Sequence, residues 1–430
     1  MLRSREIAAT LLKKLYEDPN RTFDSVIAYD THFKKLSIRD KNFVRLIVLT
    51  TLRRHGQIDK IISILVKKSI KKKMIKNLLR ISVSQILFLP IPEYSVVHQA
   101  VEISKKYGYS KIINGILRNL CRNKKDLLSE TSTEDNIPIW ISSNLSDFYN
   151  SDFLRKLSSI IISEPKIEIK VKKKFAEKKN WSKIFNGTKI MPETYRIVPN
   201  RKISEIPYYE KGLWWVQGVS SMNPVNLLNS FITEKERKNF RVLDVGASPG
   251  GKTFQLMDSG YLVTSLEKSK SRMMKFKENL KRLNFSPKTI LGDINKFSTN
   301  ELFDCVLIDS PCTSSGLIQK NPDILISDKT EALKRLTDLQ STILSSSKKL
   351  VKKGGFMIYS VCSIIPSEGV TQIKKFLCEN TNFIPCKIKK EFDGIGNVLE
   401  NYFFLTTPLD LINDSEVDGF FTACLRKIKN

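Results

Sequence analysis

The stretch Val242-Leu243-Asp244-Val245-Gly246-Ala247-Ser248-Pro249-Gly250-Gly251-Lys252-Thr253 decides the fold. Its first four residues read as a strand, the next six as a glycine-rich turn, and a helix is predicted to start directly afterwards. Glycines let the backbone approach a ligand closely, and a helix N-terminus offers N–H groups with no partner inside the helix. A cofactor site is therefore expected at this turn. The same residues also satisfy the phosphate-loop spacing of glycine, four residues, glycine, lysine and a hydroxyl, and Val306-Leu307-Ile308-Asp309 could supply a magnesium-holding acid. A P-loop ATPase is thus a competing reading.

Outward from the turn, strand and helix signals alternate. Strands are predicted at Val242 to Gly246, Leu262 to Leu266, Thr289 to Leu291, Cys305 to Ile308, Phe356 to Ser360 and Phe421 to Leu425. Helices are predicted at Phe254 to Met257, Arg272 to Leu283, Lys334 to Leu350 and Thr371 to Leu377. This is the pattern of an α/β sheet covered by helices on both faces. Glu267, Asp293 and Asp309 follow the second, third and fourth of these strands. Acids in those places suit a nucleoside lying across the carboxyl ends of the sheet, with Glu267 accepting from ribose hydroxyls and Asp293 from an adenine amine.

The first 125 residues show helical spacing only. One helix carries Phe43, Leu46 and Ile47, with Asp40 as a candidate N-cap and Gly56 as a stop; a second runs from Ile75 to Leu89 and ends before Pro90 and Pro92. A third runs from Val96 toward Gly108, and a fourth has Ile112, Ile116 and Leu120 on one face. Residues 1–125 are expected to form a helical bundle. The polar stretch from Arg122 to Asn136 reads as a linker, and Ile167, Ile169 and Val171 alternate among lysines in a small α/β module with a basic face. The expected division is 1–125, 126–206 and 207–430.

With 72 Lys and Arg against 44 Asp and Glu, the net charge of +28 points to a polyanionic partner, nucleic acid above all. Nucleotide bias in an AT-rich genome is the competing source of the lysines. They nonetheless cluster, at Lys67-Lys68 through Lys71-Lys72-Lys73 to Lys76, and from Lys170 through Lys172-Lys173-Lys174 to Lys178-Lys179. No apolar run approaches the roughly 18 residues that span a bilayer, and no signal peptide is evident, so a cytoplasmic protein is expected.

The seven cysteines lie far apart without a CxxC pair, which indicates neither a disulfide framework nor a metal site. Two of them, Cys312 and Cys362, each follow a strand of the α/β region, and their strands end at the same crevice as the glycine turn. The three histidines all fall in the first hundred residues, so chemistry at that crevice must proceed without an imidazole.

Taken together, Pro249-Gly250-Gly251-Lys252-Thr253, Asp309-Ser310-Pro311-Cys312 and Tyr359-Ser360-Val361-Cys362-Ser363-Ile364-Ile365-Pro366-Ser367-Glu368 resemble the Sun-family (RsmB-like) RNA cytosine-5 methyltransferases. Asn114-Gly115-Ile116-Leu117-Arg118-Asn119 and Asn321-Pro322-Asp323-Ile324 add to the resemblance. It implies a NusB-like all-α bundle, a small α/β RNA-binding module and a class I methyltransferase domain of Rossmann-like α/β fold. It further implies S-adenosylmethionine as cofactor, held by Gly246, Ala247, Ser248, Pro249, Gly250, Gly251 and Lys252, with Glu267 on the ribose, Asp293 on the adenine and Asp309 lining the methyl-transfer site. The implied substrate is ribosomal RNA, with the 16S RNA of the small subunit expected, and no metal or membrane is implied. By the same resemblance Cys362 is the nucleophile and Cys312 assists product release. The sequence departs from the family's usual pattern at Ser310, Gly369 and Gly218. A non-catalytic NusB-like RNA-binding factor is the remaining alternative.

Overall fold

A computed structural model describes the chain apart from residues 1, 19–20, 68–69, 199–201, 390–393, 395, 414 and 430. Lys68 of the first lysine cluster is thus outside the described residues. The chain forms two compact units, one of residues 1–164 with 318–330 and one of residues 165–317 with 331–430. Among the described residues no helix is long and apolar enough to cross a membrane.

The first unit is helical. Helices Leu2–Glu17, Ile38–Arg53, Lys73–Phe88, Glu93–Lys105 and Ser110–Arg122 pool their apolar faces in one core that includes Leu11, Ile47, Leu78, Val96 and Leu117. Several local expectations are corrected. The cap of the second of these helices is Ser37, whose hydroxyl accepts from the Asp40 N–H, while the Asp40 carboxylate accepts the Ser37 hydroxyl in return. Gly56 does not stop a helix but lies inside the next one, His55–Leu65, where its missing Cβ leaves room for the Asp135 carbonyl oxygen, 1.7 Å from where a Cβ would sit. The buried stripe of Ser110–Arg122 is Ile113, Leu117 and Leu120; of the predicted face Leu120 is buried and Ile116 half-buried against the core, while Ile112 is exposed. The stretch expected to be a linker is ordered: it carries a helix at Lys124–Ser129 and a turn at Thr133–Asn136, and buried Asn136 exchanges hydrogen bonds with Gln57. Residues 318–330, which interrupt the other unit's sequence, bury Ile318, Ile324 and Leu325 within this one.

The second unit contains two main sheets. The smaller has strands β1 (Ile167–Val171), β2 (Thr188–Met191), β3 (Thr194–Ile197) and β4 (Trp214–Val216) in the order β2-β3-β1-β4, all antiparallel. Ile169 and Val171 face a core of Trp181, Phe185, Tyr195 and Trp214, as their spacing predicts. The opposite face is not simply basic. Glu168 is buried there in an ion pair with Arg196 and also accepts the Val219 N–H, and Lys170 pairs with Glu193. Lys172 is buried and donates to the Leu283 carbonyl, which leaves Lys173, Lys174, Lys178 and Lys179 as the exposed members of that cluster.

The larger sheet is built on β5 (Arg241–Val245), β6 (Leu262–Glu267), β7 (Lys288–Leu291), β8 (Phe303–Asp309) and β9 (Val351–Val361), all parallel in the order β7-β6-β5-β8-β9. Five of the six predicted strands are these; the sixth, near the end of the chain, runs antiparallel to β9 as Phe420–Lys427. The sequence reading missed Phe383–Pro385, Asn397–Leu399 and Phe403–Thr406, which extend the sheet beyond it. From β5 the chain first builds outward through β6 and β7, then crosses to β8 on the other side. That reversal opens a crevice at the carboxyl ends of β5 and β8, where ligands of open α/β sheets bind.

Candidate active site

The crevice holds a cavity of about 770 Å³, a size in the range of small-molecule and cofactor sites. Strand tips supply its walls: Val245 of β5 and Gly246 after it, Leu266 and Glu267 of β6, Gly292 and Asp293 after β7, Asp309 of β8, and Cys312 and Cys362 beyond β8 and β9. The helix Thr330–Ser347 closes one side with Leu339 and Ile343.

Gly246 has φ of +82°, and a Cβ there would lie 2.5 Å from the Asp309 carbonyl oxygen, so the close approach of the two strand ends requires glycine. The rest of the turn supports the cavity from behind. Ala247 joins a cluster with Trp215 and Phe254. Ser248 is buried and Pro249 exposed; Gly250, at φ +121°, lies flat on the Phe254 ring, where a Cβ would come within 2.0 Å, and Gly251 opens the helix Gly251–Asp258. Lys252 does not line the cavity; its ammonium is buried against Asp309 at 2.8 Å.

Glu267 is held rigidly. Its Oε2 accepts the Ser248 N–H at 3.2 Å and its Oε1 accepts the Ser269 N–H at 2.8 Å, with Arg272 Nε 3.7 Å away. Each carboxylate oxygen keeps a further lone pair for a ligand hydroxyl. The Asp293 side chain caps the following turn through Asn295 and pairs with Lys268 at 2.7 Å, which holds its carboxyl below the usual range. Beneath the turn, burial raises Asp244 to about 7, opposed by the hydrogen bond from Thr253.

These commitments argue against a phosphate loop. The Ser248 N–H is taken by Glu267, Pro249 has no N–H to offer, and the lysine that would reach a triphosphate neutralises the acid that would hold magnesium. The fit to a nucleoside cofactor is better, since two fixed carboxylates at adjoining strand tips present acceptors along a largely apolar crevice.

The two sulfurs meet. Cys312 Sγ lies 3.3 Å from Cys362 Sγ, and the Ser314 hydroxyl lies 3.4 Å from the latter. Ser314 sits at φ +60°, a left-handed conformation that non-glycine residues adopt at a cost and that concentrates at functional sites. The hydrogen bond from Cys312 lowers the Cys362 pKa, with Ser314 and Lys252 acting in the same direction against burial. Cys312 moves the other way, well above the usual thiol value, through that same hydrogen bond, burial and the charges of Cys362 and Glu368. The pair is thus polarised, with the anion favoured on Cys362 and the proton on Cys312. Cys305, Cys386 and Cys424 are buried in or beside the strands, as core residues. The sequence reading missed Ser314, Arg272, Leu339 and Ile343; none carries a local signal beyond a turn hydroxyl, a surface cation or a helical apolar repeat.

The family model described as 16S rRNA methyltransferase RsmB/F matches residues 231–426, and that of the NusB family matches residues 2–122. A ribosomal RNA small subunit methyltransferase B of Cronobacter sakazakii is 26% identical over 98% of both chains, and one of Photorhabdus laumondii is 28% identical over 80% of this chain and 83% of its own. The crystal structure of PH0851 shares the fold with a TM-score of 0.75 at 21% identity, covering 99% of both chains. That of NSun6 from Pyrococcus horikoshii with SFG does so with a TM-score of 0.58 at 18% identity, over 69% of this chain and 99% of its own. Residues 231–426 are thus a region of the RsmB/F family of 16S rRNA methyltransferases, and residues 2–122 a NusB-family helical region.

Proposed function

We propose that the protein methylates carbon 5 of a cytosine in small-subunit ribosomal RNA through a transient bond between Cys362 and carbon 6 of the base. The observation that carries this reading is the meeting of the two sulfurs, 3.3 Å apart, in the wall of a nucleoside-sized cavity. Bound S-adenosylmethionine supplies the electrophilic methyl group. Glu267 is assigned to the ribose hydroxyls, Asp293 to the adenine, and Gly246 to the methionine end, with the rest of the turn supporting it from behind.

Carbon 5 of cytosine is a poor nucleophile until a thiolate adds at carbon 6 and pushes electron density onto it. Cys362 is the sulfur whose environment favours the anion, so it adds. Carbon 5 then takes the methyl group, and release requires loss of the carbon 5 proton together with cleavage of the carbon–sulfur bond. Cys312, held as a thiol, passes its proton to the departing Cys362 sulfur while the carbon 5 proton moves to the Cys312 sulfur. Both sulfurs then carry protons, and Cys362 sheds one to solvent, the net proton of the transfer, to return to the thiolate that begins the next turnover. Asp309, paired with Lys252, borders the space the base would occupy, and the base must leave its stack to enter. The exposed lysines of both clusters suit binding of the RNA backbone.

Incubation with 16S rRNA and cofactor labelled in its methyl group, followed by digestion to nucleosides, tests the assignment. All label is expected in 5-methylcytidine. Label in any other nucleoside overturns the choice of carbon 5, and RNA binding without transfer favours a non-catalytic RNA-binding factor.

A further inference from the structure

Glu368 is fully buried, and its charge acts on Cys312. Four donors converge on its carboxylate. Oε1 accepts the Thr313 N–H at 2.8 Å and Gln340 Nε2 at 3.1 Å, while Oε2 accepts the Ser363 hydroxyl at 2.6 Å and the Thr313 hydroxyl. A carboxylate has about four lone-pair positions, so all are used here. Thr313 directly follows Cys312 and Ser363 directly follows Cys362. We propose that Glu368 is a positioning residue for the reaction: one carboxylate clamps the residue after each cysteine and thereby sets the distance between the two sulfurs.

Neighbouring hydrogen bonds converge on the same clamp. Gln340 Nε2 also donates to the Pro311 carbonyl at 3.0 Å, and the Tyr359 hydroxyl donates to the Glu368 carbonyl at 2.7 Å. The loops after β8 and β9 are separate in sequence and meet beyond the tips of neighbouring strands, where the Gly316 N–H donates to the Cys362 carbonyl at 3.1 Å and the Ser315 and Ser363 hydroxyls lie 2.8 Å apart. Glu368 adds to these the one carboxylate that bonds the residue next to each sulfur. Burial raises the Glu368 carboxyl, and the bonds from Ser363, Thr313 and Gln340 oppose this. Neither form would be tolerated so far from water without those donors.

This inference rests on the proposed roles of the cysteines, but its test reads their separation without requiring methylation. Diamide removes the two thiol hydrogens and is itself reduced to the hydrazine, joining sulfurs that can close to a bond of about 2.05 Å. The rate of Cys312–Cys362 disulfide formation, followed by peptide mass spectrometry, is a ruler for the two loops. Glu368→Ala is expected to slow this rate at least about tenfold and to lower single-turnover methyl transfer about a hundredfold, the scale of a misplacement near 1 Å. Binding of S-adenosylhomocysteine is expected to stay within about threefold of the parent, because the cofactor's carboxylates belong to other strands. Glu368→Gln keeps an acceptor for the Thr313 N–H and faces two hydroxyls that can reverse, so it is expected to rescue both rates. Should Glu368→Ala not fold, as judged by circular dichroism and cofactor binding, Ser363→Ala takes its place and must slow disulfide formation. A folded Glu368→Ala or Ser363→Ala protein that joins its sulfurs at the parental rate overturns the clamp. Methyl transfer by Cys362→Ala would instead overturn the assigned chemistry and leave the ruler's result standing.

Discussion

Replacing Glu267 by Gln separates cofactor recognition from chemistry. In the structure both oxygens of this 2%-exposed carboxylate accept backbone N–H groups, from Ser248 and Ser269. A glutamine must turn its NH2 group toward one of them, leaving two donors facing each other at a cost in stability of about 1–3 kcal/mol. The bound ribose loses one charge-assisted hydrogen bond in addition, worth about 1.5–3 kcal/mol. At about 1.4 kcal/mol per decade, this raises the Kd for S-adenosylhomocysteine about 10- to 150-fold. Isothermal titration calorimetry, with the folded fraction fixed beforehand by a thermal melt, measures it. A folded variant whose Kd stays within about twofold of the parent would refute the placement of the ribose at Glu267.

Lys252→Met removes the cation that pairs with Asp309 and helps hold Cys362 as thiolate. The pH midpoint for alkylation of Cys362 by iodoacetamide is expected to move upward, and an unchanged or lower midpoint contradicts the electrostatic reading. Arg196→Ala strands buried Glu168 without its partner; a loss of about 3–5 kcal/mol by urea denaturation is expected, and a loss below about 1 kcal/mol would show that the pair is not holding the small sheet. Among the lysines, Lys178→Ala with Lys179→Ala is expected to flatten the dependence of RNA affinity on salt by about 0.7 for each phosphate no longer neutralised. Lys172→Ala, whose ammonium is buried on the Leu283 carbonyl, is expected to lower stability and leave that slope unchanged.

The catalytic sheet was legible because its strands are short apolar runs that end in glycine or acid, a signal that local sequence carries in full. Val242 to Val245 and Cys305 to Ile308 appear where their composition places them. Phe383–Pro385, Asn397–Leu399 and Phe403–Thr406 were not legible, since strands this brief show no alternation to read. In the helical unit, Gly56 has the composition of a helix stop, but its lack of a Cβ is needed for the approach of Asp135. On Ser110–Arg122 the sequence places Leu120 correctly but not Ile112, because Ile112 and Ile113 are equally apolar and only packing decides between them. At the site, motifs located Cys312, Cys362 and Glu267. The pairing of Lys252 with Asp309 and the convergence on Glu368 depend on the meeting of strand tips, which no spacing encodes.

The central claim concerns which sulfur bonds to the base. Mixing the Cys312→Ala variant with substrate RNA and S-adenosylmethionine, denaturing, digesting both polymers and sequencing the surviving crosslink by mass spectrometry reads it directly. The account predicts a methylated cytidine attached through Cys362, and no such species in the Cys362→Ala variant. A nucleotide found on any other residue, or full methyl transfer by Cys362→Ala, would contradict it.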